Sequence, residues 1–240
     1  ENSEGYLNIL DPETIEKNTK NKPLISSLKT IQELKIKIVY PLLLSILISN
    51  RKDKISTRLL RSFISTIEQF HFQFNGVCRR KTGGTLTNLY NETAQKVHKA
   101  EDVNEINIIF TEFKKGLKKI AVSKEEFILN FEKLTYDSRN SKHKNVIKYS
   151  LFVVLEHIPT KPYSGELTDL TIEHLISQST KVPYMSNIGN LILVGSKLNN
   201  ETLKDLELKE KIKILEKHSY HLIENFLIPL WGGYENEVQI

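Results

Sequence analysis

The chain has 240 residues with 39% hydrophobic and 26% charged side chains, which is ordinary globular composition and enough length to bury a core as one large domain or two small ones. A net charge of +5 and an isoelectric point near 9.0 lean towards an acidic partner such as nucleic acid. Cys78 is the only cysteine, which excludes a disulfide framework and a thiolate zinc site and fits a reducing cytoplasm.

The chain opens on Glu1 and its only methionine is Met185, so it reads as a fragment or a processed product. Residues 1–22 are polar without a strong period and read as a loop or arm. Leu24, Leu28, Ile31, Leu34, Ile38 and Leu42 follow helical spacing, with a break or kink expected near Pro41. The most apolar run, residues 38–49, is too short for a bilayer, which needs about 20 residues, so it is expected to be a core helix and no membrane partner is expected. Residues 50–54 form a charged connector, and Leu60, Phe63, Ile64, Ile67 and Phe70 mark a further helix ending towards Asn75 and Gly76.

Residues 78–85 (Cys-Arg-Arg-Lys-Thr-Gly-Gly-Thr) are the most basic short stretch. Arg79 and Arg80 are candidate phosphate contacts, the Gly pair could admit a phosphate to backbone amides, and Thr85 is a candidate cap of the next helix; a plain basic loop is the competing reading. Further helices are expected through Ile106, Ile109, Phe113 and Leu117, and through Phe127, Ile128, Phe131 and Leu134, with Ser123 and Glu126 as a capping box. A polar, basic stretch over residues 137–148 leads into a helix through Tyr149, Leu151, Val154 and Leu155. Pro159, Pro162 and Gly165 then mark a change of character, so 1–157 is expected to be a helical domain and 158–240 a second domain.

Within the second part, residues 171–175 and 191–194 are short runs rich in apolar and β-branched residues bounded by Gly, Pro, Ser and Asn, and both read as strands. Leu208, Ile212 and Leu215 then carry helical spacing, with Asn199 or Asn200 as the expected N-cap. A carboxylate–histidine pair on the first strand, and an asparagine where the helix begins, form the layout of a metal site. Glu156-His157 is a second such pair, but it ends an apolar helix and no Gly-Asn-Leu follows it at comparable distance. His71, His98 and His143 read as structural, as do His218 and His221 despite their i, i+3 spacing.

The order Glu173-His174, Gln178, Gly189-Asn190-Leu191, Leu198-Asn199 and Lys211 resembles the His-metal-finger (HNH, ββα-metal) nucleases, and more closely the C-terminal nuclease domain of GmrSD-type restriction endonucleases. The resemblance implies a mainly α protein, with a helical domain followed by a small ββα-metal nuclease domain. It implies that His174 is the general base, that Glu173 and Asn199 hold Mg²⁺ or Mn²⁺, and that Asn190 braces the loop behind the histidine. Lys211 is assigned a phosphate contact. DNA as substrate, defence against foreign DNA in the cytoplasm, and an N-terminal nucleotide-binding domain are implied too; no Walker-type Gly-x-x-x-x-Gly-Lys loop occurs in these residues. Ser177 departs from the pattern, standing where such proteins carry proline.

The chemistry is coherent on elementary grounds. A histidine of reference pKa ~6.5 is suited to take a proton from water. A hard cation needs few protein oxygens, because it retains waters, and it stabilises the charge on a phosphate and its leaving oxygen. Adjacent residues in a strand face opposite sides, so Glu173 and His174 can share one site only if the strand ends or bulges there. The alternative is a nucleic-acid or protein binding module on a degenerate HNH scaffold.

Overall fold

The computed structural model describes residues 9, 11–12, 22–137, 139, 141–156, 167–180, 182–203 and 206–217. It is mainly helical with one small two-stranded sheet, and it divides into two compact units, residues 1–131 and 132–240. No helix among the described residues is long and apolar enough to cross a membrane.

The first unit contains α1 (Lys22–Glu33), α2 (Tyr40–Arg51), α3 (Thr57–His71), α4 (Gly84–Lys99), α5 (Val103–Ile120) and α6 (Lys124–Phe131). Pro41 does not kink a continuing helix: α1 ends before Lys35, whose φ of 57° is left-handed, and Pro41 sits in the first turn of α2. That is where a missing N–H costs nothing, because no intrahelical acceptor awaits it. As expected of the apolar run, α2 is a core helix with Leu42, Leu43, Ile46 and Leu47 buried, and it packs chiefly on α4.

Helix α3 starts where the Ser56 hydroxyl accepts from Leu59 N at 3.2 Å, and it runs on into a π-helical turn, Phe72–Val77. α5 is capped by Asp102, whose Oδ1 accepts from the amides of Asn104 and Glu105. Thr85 is not the cap of α4; Gly83 occupies that position with no side-chain cap, and neither Gly83 nor Gly84 has a positive φ. Phe63, Tyr90 and Phe113 are fully buried at the centre, with the Phe63 ring 4.0 Å from Phe110.

The second unit contains α7 (Lys144–Glu156), β1 (Leu170–His174), β2 (Leu191–Gly195), the short α8 (Ser196–Leu198) continuing as a π turn (Asn199–Leu203), and α9 (Leu208–Lys217). The strands pair antiparallel in the register Leu170↔Gly195 to His174↔Leu191. Period-two alternation puts Thr171 and Glu173 of β1 on the same face as Ile192 and Val194 of β2. That face joins Leu175, Leu203 and Leu215 in a small apolar core, against which Leu198, Leu208 and Ile212 pack. α7, which a boundary at 157 places with the helical domain, lies in the second unit and packs on β2. The decoy histidine His157, the punctuating residues Pro159, Pro162 and Gly165, and the tail with His218 and His221 fall outside the described residues.

Candidate active site at the end of the hairpin

β1 stops at His174, and the chain then makes a long loop back to β2. Asn190 holds that loop together. Its Oδ1 accepts from Ile176 N at 2.8 Å, while its Nδ2 donates to Ile176 O at 3.0 Å and to Met185 O at 2.7 Å. One buried amide thus closes both sides of the loop, and Leu175 N adds a bond to Asn190 O at 2.9 Å. Ser177, the residue that replaces the expected proline, opens the 3-10 turn Gln178–Thr180: its carbonyl accepts from Thr180 N at 3.1 Å and from Thr180 Oγ1 at 2.7 Å. Backbone and hydroxyl bonds do there what a proline ring would do by fixing φ.

The His174 ring is buried and held from a segment far away in sequence. Thr135 bridges to Asn187, and Tyr136 N donates to Ser186 O at 2.8 Å, which lays residues 135–136 beside the loop. From there the Tyr136 carbonyl lies 2.9 Å from His174 Nε2, and the Tyr136 ring stacks on the imidazole with centroids 5.8 Å apart. A carbonyl only accepts, so Nε2 carries the proton. In the neutral ring Nδ1 is then the lone-pair nitrogen, and the Gln178 amide nitrogen sits 3.2 Å from it.

Glu173 leaves the opposite face. Its Oε1 accepts from Lys211 Nζ at 2.6 Å, and the same ammonium donates to the His174 carbonyl at 2.7 Å. Lys211 is 1% exposed. The phosphate contact expected of Lys211 is therefore not open to it here: its charge is spent on β1, and α9 is pinned to the strand as a result. The side chains of Glu173 and His174 are not brought onto one face; the strand ends there without a bulge, and the ladder stays regular to His174↔Leu191.

Asn199 does not cap α9. It lies at the start of the π turn, and its Nδ2 donates to Thr171 Oγ1 at 3.0 Å and to Ile172 O at 3.2 Å. Because Thr171 and Glu173 share a face, Asn199 and Glu173 flank the same side of the hairpin. Among the described residues, neither Glu173 Oε2 nor Asn199 Oδ1 accepts a hydrogen bond; the Glu173 side chain is 10% exposed. One carboxylate oxygen and one amide oxygen suit a hard cation that keeps most of its waters. No three His, Cys, Asp or Glu gather among the described residues into a group that could hold a metal ion.

The remaining expected contacts lie elsewhere. Arg80 makes a bidentate pair with Glu126, Nε to Oε1 and Nη2 to Oε2 both at 2.9 Å, and this pair holds the Glu126 carboxyl below its usual range. The guanidinium fork is filled, and the Glu126 side chain expected to complete a capping box is used here instead; Ser123 Oγ still accepts from Glu126 N. Arg79 adopts a left-handed φ of 52° in the same loop.

Tyr136 carries no mark of a site residue in the sequence. It contributes a backbone carbonyl, which has no residue-type signature, from 38 positions upstream.

No family model matches this chain, and no curated protein is similar to it in sequence.

Proposed function

We propose that this protein is a divalent-metal-dependent endonuclease of the ββα-metal type acting on DNA, with His174 as the general base. The observation that supports it most is the hydrogen bonding of His174: the Tyr136 carbonyl accepts from Nε2–H, which leaves Nδ1 with the lone pair and able to accept a proton. Nδ1 would take a proton from the attacking water, with Gln178 giving up its contact as the water enters. Asn190 keeps the loop, and with it the Gln178 turn, in register with the ring. Glu173 and Asn199 are the oxygens that would hold Mg²⁺ or Mn²⁺, which when bound supplies charge stabilisation to the phosphate and its leaving oxygen. Lys211 neutralises Glu173 and ties α9 to β1. The role against foreign DNA, with a nucleotide-driven partner domain, extends the resemblance to GmrSD-type enzymes.

A binding module with a degenerate site is the second reading, and two observations favour it: Glu173 and His174 leave opposite faces of β1, and Glu173 is paired with Lys211, which makes it a weaker cation ligand. Nicking of supercoiled plasmid in Mg²⁺ and Mn²⁺ separates the two. Metal-dependent nicking that disappears in His174→Ala supports the nuclease. Nicking that survives in His174→Ala removes the assignment of the base. If neither protein nicks and Mg²⁺ does not raise the melting temperature of the wild type, the degenerate reading stands.

A further inference from the structure

The net positive charge of the chain is not spread evenly. Residues 1–131 carry 21 Lys and Arg against 15 Asp and Glu, whereas residues 132–240 carry 13 against 14. The helical unit therefore holds all of the excess, although the candidate chemistry is in the other unit. Within the helical unit, α3 and α5 border an open groove of about 680 Å³.

One wall is a single face of α3. Arg58, Arg61, Ser62, Ser65, Thr66 and Gln69 recur at spacings of three and one, which is one stripe about 16 Å long at 1.5 Å per residue. The other wall is Lys114 of α5, whose Nζ stands 4.6 Å from the Phe110 ring centroid, with Phe110 itself locked against Phe63 in the core. No carboxylate lines the groove among the described residues. α3 has one acidic residue, Glu68, and it is buried, while Glu112 of α5 is taken by Lys96 at 3.3 Å. Among the described residues, Arg58 and Arg61 make no ion pair and no side-chain hydrogen bond, and Lys114 has only the ring. The contrast with Arg80, held bidentately by Glu126, is direct.

Three unneutralised cations, one of them an arginine in the first turn of a helix, around a trough of short hydroxyl side chains match an extended run of phosphates. The hydroxyls of Ser62 and Thr66 donate back to the helix carbonyls of Arg58 and Ser62, so they leave room and do not compete for the ligand as bulky groups would. We propose that this groove binds the sugar–phosphate backbone of nucleic acid, as a docking site in the helical unit separate from the hairpin site. The identity of the polymer rests on the endonuclease reading; the groove's preference for a polyanion does not.

The test is fluorescence anisotropy of the full chain with a fluorescein-labelled 20-base-pair duplex in EDTA, across a salt series. The triple variant Arg58→Gln/Arg61→Gln/Lys114→Gln is compared with Lys99→Gln/Lys118→Gln/Lys119→Gln, which removes the same charge from exposed positions elsewhere on α4 and α5. The groove variant is expected to bind about tenfold or more weakly and to lose about 2.7 from the slope of log K against log salt, at ~0.9 for each phosphate contact. Arg61→Gln alone should lose about 0.9, which keeps the result readable if the triple variant folds poorly. Equal losses in the two triple variants, unchanged binding by the groove variant, or no duplex binding by the wild type each overturn the proposal. Displacement of the duplex by polyglutamate at equal charge would assign the groove to an acidic polypeptide and overturn the nucleic-acid assignment. Groove-dependent binding without nicking would leave the groove standing and remove the nuclease; nicking with normal binding by the groove variant would do the reverse.

Discussion

Replacing Lys211 with Met keeps a long unbranched stem in the space between α9 and β1 and removes the charge. In the wild type the ammonium is 1% exposed, and the Glu173 side chain it meets at 2.6 Å is 10% exposed. The variant leaves that carboxylate nearly dry with no cation, and the His174 carbonyl loses its donor at 2.7 Å. Breaking a buried pair by removing one partner costs about 3–5 kcal/mol, most of it the burial of the orphaned charge. Urea unfolding followed by circular dichroism should report a loss of that size. The double variant Lys211→Met/Glu173→Leu should recover most of it, because removing both charges and filling the space with apolar atoms is close to neutral for folding.

The same pair makes a second demand on the endonuclease reading. If Glu173 is a cation ligand, Mg²⁺ takes over as its counter-charge when Lys211 is gone. Millimolar Mg²⁺ should then stabilise Lys211→Met more than the wild type, and should do nothing for Lys211→Met/Glu173→Leu. A Lys211→Met protein within about 1 kcal/mol of wild type, well below the range for a buried pair, would show that the pair does not hold α9 to the strand. Equal Mg²⁺ effects in all three proteins would separate Glu173 from metal binding.

Asn190→Ala removes three hydrogen bonds at 2.7–3.0 Å and leaves the Ile176 amide without its acceptor. The expected cost is about 2–4 kcal/mol, with nicking lost even where the protein remains folded at low temperature; Asn190→Asp, which keeps Oδ1 as acceptor, should fall between. In the helical unit, His71 is completely buried between Asn75 Oδ1 and the Tyr90 hydroxyl, and burial lowers its pKa to about 4 from 6.5, against a smaller opposing effect of the Asn75 bond. The unfolded chain therefore binds this proton first on acidification. The neutral ring costs nothing above pH ~6.5, and stability should fall by about 3 kcal/mol as pH drops from there to ~4. His71→Gln should flatten that part of the stability–pH curve, and a curve unchanged by the substitution would assign the acid sensitivity to other groups.

The candidate site was legible in the sequence to the extent that it is local. The two strands announce themselves as β-branched runs between Gly, Asn and Ser, and the observed strands differ from them by one residue at most. The role of Asn190 as a loop brace came from the resemblance and not from any local pattern, although its partners Ile176 and Met185 lie within 14 positions. Pro41 marked a break or a kink, and the structure holds the break; the left-handed Lys35 that follows α1 has no sequence signature of its own.

What the sequence determined by itself is the set of elements and their polarity. Helical and strand periods and the concentration of positive charge in the first half arise from neighbours within a few positions, and no tertiary contact is needed to express them. Only the tertiary structure decided the partners. A lysine on an amphipathic helix reads as a solvated charge, yet Lys211 is buried because β1 presents a carboxylate and a carbonyl 37 and 38 residues earlier in the chain. The Tyr136 carbonyl that sets the His174 tautomer is an acceptor every residue possesses, selected only by where the chain passes. Pairing of buried polar groups is enforced by the cost of desolvating them, and that cost depends on the assembled interior, which no local window of sequence contains.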